Sequence, residues 1–323
     1  MPVWSLRRVL DKNPELDFRH GLRTPVRFAP VEGFSGADGF PFKGLRALIR
    51  ASFWPDVRQV SINPDEIDPG RWTEAVNGLA LDYDFLYVVT EGYFFKIPLD
   101  TPLDRADPKR INLGWPHGGG CSLHRGMLYV AVEGSPDKKM KGQVWVVDPR
   151  TVTVVAKQTI SATGDCPWIS IDPAGRFLYH SKASAGSADQ IDIFRFRAYP
   201  DFLLSPVGSL TLVTESGDPI DLQSVQAGLV TPNNHLVVLC DTPEGEAVSG
   251  LHLFDIYTGR RRWHKRFERE YDDEFECLLM ADFAENGLLH VGMLNKDLDI
   301  GRESDDLSLV NFDTPSPFDR WML

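Results

Sequence analysis

A hairpin written five times is what most constrains this chain. A short apolar strand, a tight turn and a second strand recur as GLALDYDFLYVVTEG (78–92), GCSLHRGMLYVAVEG (120–134) and WISIDPAGRFLYHSK (168–182), with two more divergent copies, GLVTPNNHLVVLCDT (228–242) and ADFAENGLLHVGMLN (281–295). Self-similarity at a period of some tens of residues marks a repeat architecture, in which each unit is one supersecondary structure that cannot bury its apolar faces alone. The anchoring leucines Leu86, Leu128, Leu178, Leu236 and Leu289 are 42, 50, 58 and 53 residues apart, which leaves no room for a further unit between them.

After each hairpin comes a third apolar or alternating strand: GYFFKIPL, GQVWVVD, QIDIFRF, GLHLFDIYTG and DLSLVNFD. Fourth strands are written in TVTVVAKQTIS and VGSLTLVTE, where β-branched residues dominate. Four antiparallel strands per unit are the blade signature of a β-propeller. Each blade twists and is apolar on both faces, so each must be covered by a neighbour on either side, and a ring is the arrangement that leaves no face bare. The expectation is an all-β chain forming a single propeller over 56–323, with five blades and six as the alternative. N- and C-terminal strands are expected to close the ring, VRQVSI (57–62) supplying the outer strand of the blade that begins at Ala281. Residues 1–55 are expected as an extension packed on the propeller. It would contain a short helix over 42–54, where apolar spacing is helical, and 20–65, the place a sixth blade would need, lacks the hairpin pattern.

The third hairpin, Asp172-Pro173-Ala174-Gly175-Arg176-Phe177-Leu178-Tyr179, resembles the D-x-G-R-x-L-Y repeat of lactonase-like and YVTN-type propellers. The resemblance covers about one hairpin and implies the fold. Propellers host lactonases, lyases, oxidoreductases and pure binding modules alike, so it transfers no catalytic residue.

Composition removes several classes of partner. The formal net charge is −12, and the longest basic run is Arg260-Arg261-Arg262, which argues against nucleic acid as a partner because duplex binding rests on phosphate neutralisation. No run of 18 apolar residues occurs and MPVWSLRRVLDKNPELDF has no apolar core of a signal peptide, so no membrane association is expected and the reading is cytoplasmic. Cys121, Cys166, Cys240 and Cys277 have no metal-like or redox-like spacing and read as buried free thiols. No nucleotide-binding glycine loop, serine elbow or HExxH is present, so no organic cofactor is implied.

Propeller geometry then says where to look. The loop entering each innermost strand and the loop leaving the second strand emerge at the same end of the ring. At the entrances stand Asn77, His117 ahead of Gly118-Gly119-Gly120, Asp165, Gln226 and Glu276; at the exits stand Glu91, Glu133, Asp241 and Asn295. Oxygen ligands with one imidazole suit a hard divalent cation, Ca²⁺ or Mg²⁺, with Glu91, Asp241 and Glu276 as candidate metal ligands. His117 and Glu133 are the candidate catalytic pair, and Asn77, Asp165, Trp168 and Gln226 are candidate ligand contacts. Each has an ordinary alternative: acidic and amide residues satisfy turn amides, Trp168 packs, and the three glycines permit crowding at the axis. His124, in the turn at the opposite end, is expected in solvent.

Two functions follow from this column of residues. One is a propeller that binds a small molecule, a glycan or a protein at the channel face; the other is a divalent-metal-dependent hydrolase or lyase acting there on a hydroxylated substrate. Oligomeric state is not encoded in these features.

Overall fold

The computed structural model describes residues 28–29, 76–81, 85–98, 108–134, 140–161, 166–172, 174–181, 190–220, 222, 225–230, 235–240, 250–265, 273–281, 288–296 and 305–314. All their regular structure is β. The first sheet runs β2 (Val76–Leu81), β3 (Phe85–Thr90), β4 (Phe94–Pro98), and the second β5 (Gly118–His124), β6 (Met127–Val132), β7 (Gln143–Asp148), β8 (Thr153–Thr159). The third is β9 (Ile169–Ile171), β10 (Phe177–Ser181), β11 (Gln190–Arg197), β12 (Leu203–Thr211), and the fourth β13 (Val225–Val230), β14 (His235–Cys240), β15 (Gly250–Asp255), β16 (Arg261–Lys265). The last joins β17 (Asp273–Ala281), β18 (Leu288–Lys296), β19 (Asp305–Thr314) and β1 (Phe28–Ala29). Every neighbouring pair is antiparallel.

Each repeated hairpin forms the two inner strands of one sheet. The innermost strands meet in the order β2, β5, β9, β13, β17, and β17 also lies against β2. The molecule is a single β-propeller, but its full, four-stranded blades number four, which corrects the expectation of five or six. The shortfall lies in the sheet β2–β4: after Pro98 no fourth strand is described, and among the described residues its outer edge is met by an isolated bridge, Phe94 to Ile111. Of the expected closing strand and helix, 57–62 and 42–54 lie outside the described residues. The residues paired to the outer edge of the last sheet are Phe28 and Ala29, opposite Thr314 and Asp313.

Why the ring packs so tightly at its axis is written in the second inner strand. Gly120 N–H donates to Pro167 O at 2.8 Å, a hydrogen bond from one blade to the next. A Cβ on Gly119 would fall on that same carbonyl oxygen, and one on Gly120 would stand 2.8 Å from Trp168 Cβ. Two serines fasten the same seam. Ser122 Oγ accepts from Ile171 N at 3.3 Å, and Ser170 Oγ accepts from Val230 N at 2.9 Å, so buried amides at the ends of two innermost strands are satisfied by a neighbouring blade.

Between blades the sheets pack through apolar faces. Tyr129, Val144, Ile169, Leu178 and Phe194 form one layer, and Trp168, Ile191, Leu236, Val238 and Phe254 the next. The motif hairpin is explained by its own turn: Asp172 Oδ1 accepts from the amides of Arg176 and Phe177, both at 2.6 Å, and Gly175 takes the positive φ of 64° that closes it.

Candidate functional site

Four innermost strands carry a β-bulge at their entrance. The register slips between Val76 and Gly78, Gly118 and Cys121, Val225 and Ala227, and Phe275 and Cys277. The extra residues are therefore Asn77, the Gly119-Gly120 pair, Gln226 and Glu276. A bulge re-aims a side chain out of the pleat, and bulges cluster beside active sites. Three of the five residues expected at the entrances thus occupy a recurring bulge. Antiparallel pairing brings the exits beside them, Val76 facing Thr90 and Gly118 facing Val132.

At the junction of the first two sheets these positions meet. Asn77 Nδ2 lies 2.8 Å from Gly118 O and 3.1 Å from His117 Nε2. The carbonyl fixes which end of the amide is nitrogen, and an amide nitrogen only donates, so His117 Nε2 must accept. The imidazole proton then sits on Nδ1. That nitrogen is 3.7 Å from Glu91 Oε1, while Nε2 is 4.0 Å from Glu133 Oε2. Backbone bonds hold the frame: Glu133 N–H donates to His117 O and Gly118 N–H to Glu91 O, both at 2.9 Å. His117 and Glu91 are open to solvent, whereas Glu133 is 18% exposed and its Oε1 is buried without a hydrogen-bond partner among the described residues.

The carboxylates here differ from the paired ones elsewhere. Asp148 is bound by Arg150 and Glu215 by Arg261, and these arginines hold their carboxyls below the usual range. Burial would raise Asp255, but Arg262 and the amides of Tyr257 and Thr258 overcome it and hold it low. Among the described residues, the ion-pair partner of Glu91 and Glu133 is the His117 imidazole, at 3.7 and 4.0 Å, rather than an arginine.

The remaining candidates are separated by the structure. Trp168, expected as a ligand contact, is fully buried: its ring lies over Gly228 of the next innermost strand, where an added Cβ would collide with Cζ2 and Cη2. A glycine opposite the indole makes the slot, so Trp168 is core. Asp165 and Asp241 lie outside the described residues, as does the side chain of Glu276. Gln226 sits half-buried at its bulge. Among the described residues no three His, Cys, Asp or Glu side chains are grouped to hold a metal ion. Among the described residues none of the four cysteines is in a disulfide; Cys121 is half-buried and the other three are buried, and desolvation of its sulfur raises the Cys121 thiol above its ordinary range, which leaves it a poor nucleophile. His124 is not in solvent: its Nε2 is buried and its ring packs edge-on to Phe196 at 5.4 Å.

Two features escaped the sequence reading. The bulges were one, although a polar residue followed at once by a small one, Asn77-Gly78 and Gln226-Ala227, is their trace in the sequence. Trp115 was the other: it is 4% exposed, its Cε2 would stand 3.0 Å from a Gly118 Cβ, and its buried Nε1–H lacks an acceptor among the described residues.

The fold stands on the ring of sheets described above. The chain is a β-propeller. No family model matches it, and no curated protein does. Among solved structures it is similar to Kuenenia stuttgartiensis hydrazine synthase, at 14% identity over 73% of this chain and 60% of that one, with a TM-score of 0.41. It is also similar to the β-propeller domain of Myceliophteria thermophila Cps50 (Swd1), at 12% identity over 75% and 84% of the two chains with a TM-score of 0.41. For Kluyveromyces lactis Hsv2 the values are 14%, 74%, 73% and 0.34. The chain spans about three fifths of the hydrazine synthase chain's length. Among the described residues no helix is long and apolar enough to cross a membrane.

Proposed function

We propose that this chain is a ligand-binding propeller whose ligand sits where the first two innermost strands begin, on Asn77, Glu91, His117 and Glu133. The observation that carries the reading is the pair of carboxylates held beside an imidazole whose proton position Asn77 dictates, with no arginine or lysine to satisfy them among the described residues. A half-buried carboxylate left without a partner is costly, and residues kept in that state are characteristic of binding sites. Two backbone hydrogen bonds between the strands frame them, which suits a site formed before its ligand arrives.

Catalysis by the same residues is the weaker reading. A base at His117 needs the Nε2 lone pair that Asn77 occupies, and a cation bound through the imidazole needs it too. Oxygen-only binding of Ca²⁺ or Mg²⁺ by Glu91 and Glu133 calls for further ligands that the described residues do not group around them.

The test is thermal melting of the full chain against small polar molecules, Ca²⁺ and Mg²⁺, beside a Glu91→Gln/Glu133→Gln double variant. A ligand that raises the melting temperature of the native chain and not of the variant supports the site. Equal shifts in both would place binding elsewhere and overturn it.

A further inference from the structure

The outer edge of the third sheet is unusually bare. Four large apolar side chains are exposed among the described residues, and three of them, Tyr199, Leu203 and Val207, fall in one short run, on β12 and the turn before it. Along β12 only Leu204 and Leu210 are buried, whereas β8, the outer strand of the second sheet, is half-buried at most of its positions. Single apolar side chains are ordinary on a surface, but a group of them marks a place of contact. Two arginines stand beside this group. Arg195 and Arg197 are two apart on β11, hence on one face of the sheet, and pair across to Ser205 and Leu203. Both are exposed. Arg150, Arg176, Arg261 and Arg262 each meet a carboxylate, but Arg195 and Arg197 form no ion pair among the described residues. Residues 195–207 carry these two arginines and one acid, the exposed Asp201, so the flank is locally basic in a chain of net charge −12.

A bare sheet edge invites another strand, yet this one is closed to strand addition. Pro206 has no N–H, Val207 is an extra residue where the register slips between Ile193 and Phe194, and the Gln158 side chain of the second sheet bonds both backbone groups of Leu204, at 2.6 and 2.7 Å. A partner must therefore bind through side chains. Aromatic residues and arginines are what interfaces favour, and arginines without a carboxylate select one across the interface. A nucleic acid would satisfy the arginines and leave the apolar side chains unused. We infer that the outer flank of the third sheet docks a partner protein through a segment carrying both acidic and apolar residues, its carboxylates on Arg195 and Arg197 and its apolar side chains on Tyr199, Leu203 and Val207. This surface is separate from the His117 site and does not depend on it.

The test is fluorescence anisotropy of a short labelled peptide of alternating glutamate and leucine titrated with the full chain, beside a lysine–leucine peptide and vesicles of phosphatidylcholine and phosphatidylserine. The acidic peptide is expected to bind saturably, and more weakly as salt rises. Arg195→Ala/Arg197→Ala and Leu203→Ser/Val207→Ser should each weaken it more than about tenfold, the loss of interface anchors. All four positions are exposed, so both variants should melt with the native chain. Tyr257→Ser, at the fourth exposed apolar residue and in the turn before β16, should leave the affinity unchanged. No binding of the acidic peptide, or equal affinity in the native chain and both double variants, would overturn the surface. Equal binding of the lysine peptide would overturn the charge selection. Preferential binding to the vesicles, lost in the arginine variant, would overturn the protein partner in favour of an anionic membrane.

Discussion

His124 shows how one side chain can differ from what its place in the sequence suggests. It follows a strand and precedes an Arg-Gly turn, a solvent-facing context, yet the Asp172–Arg176 turn of the next blade folds over it and Phe196 packs against its ring. Burial, with Arg125 nearby, pulls its imidazole below the ordinary value of 6.5, and Asp172 opposes the shift only in part. A histidine that is harder to protonate folded than unfolded leaves stability whole above about pH 6.5. Stability is then lost as pH falls below that point, until the folded imidazole takes up its proton. The slope stays under about 1.4 kcal/mol per pH unit, the unscreened limit, because the side chain is partly solvated. Urea denaturation at pH 7.5 and 5.5 should therefore show the native chain losing more stability than His124→Phe; parallel losses would refute the assignment. At this scale the sequence was informative about identity and silent about neighbours. The polar entrances at Asn77, His117 and Gln226 and the exits at Glu91 and Glu133 were readable from repeat phase alone. That Asn77 would reach His117, 40 residues on, depends on how one blade leans on the next. Which of its two readings Trp168 takes, ligand contact or packing, was open for the same reason, since the glycine that receives its ring is 60 residues away.

Strands and turns were far more legible. An apolar run, a turn and a second apolar run define a hairpin with no reference to the rest of the chain, and every one of the five hairpins forms the inner pair of a sheet. Outer strands were harder: β12 begins before the β-branched run that signals it, and β16, RRWHK, is polar because it sits at a sheet edge. Bulges are harder still, being one residue long. The glycine run on β5 belongs to this scale, because its purpose is the approach of strand to strand. Gly119→Ala sets a methyl on the Pro167 carbonyl and threatens the Gly120 bond to it. A loss of about 1–3 kcal/mol is expected from such overpacking, measured by urea unfolding. Gly92→Ala, with nothing within 4 Å of the new methyl, should change stability by less than about 0.5 kcal/mol. If the two variants unfold alike, tight packing at the axis is not what the glycines provide.

For the whole molecule, the ring turns local repetition into a shared end. Every innermost strand starts at the same end, so a bulge repeated at four of these starts gathers polar groups from distant parts of the chain. Sequence spacing was enough to name that end and not enough to say which positions would meet there, because Asn77, Glu91, His117 and Glu133 come together only through the contact of two sheets. It also set the blade count too high by treating the first hairpin as the start of a full blade, when its sheet has three described strands. The central claim is that the propeller binds at the end marked by His117 and not at the end marked by His124. Backbone amide chemical-shift mapping of the full chain, with whichever small polar molecule or divalent cation raises its melting temperature, tests this most directly. Perturbations should centre on Asn77, Glu91, His117, Gly118 and Glu133. Perturbations centred instead on His124, Arg125 and Asp172, with the first group unmoved, would contradict it.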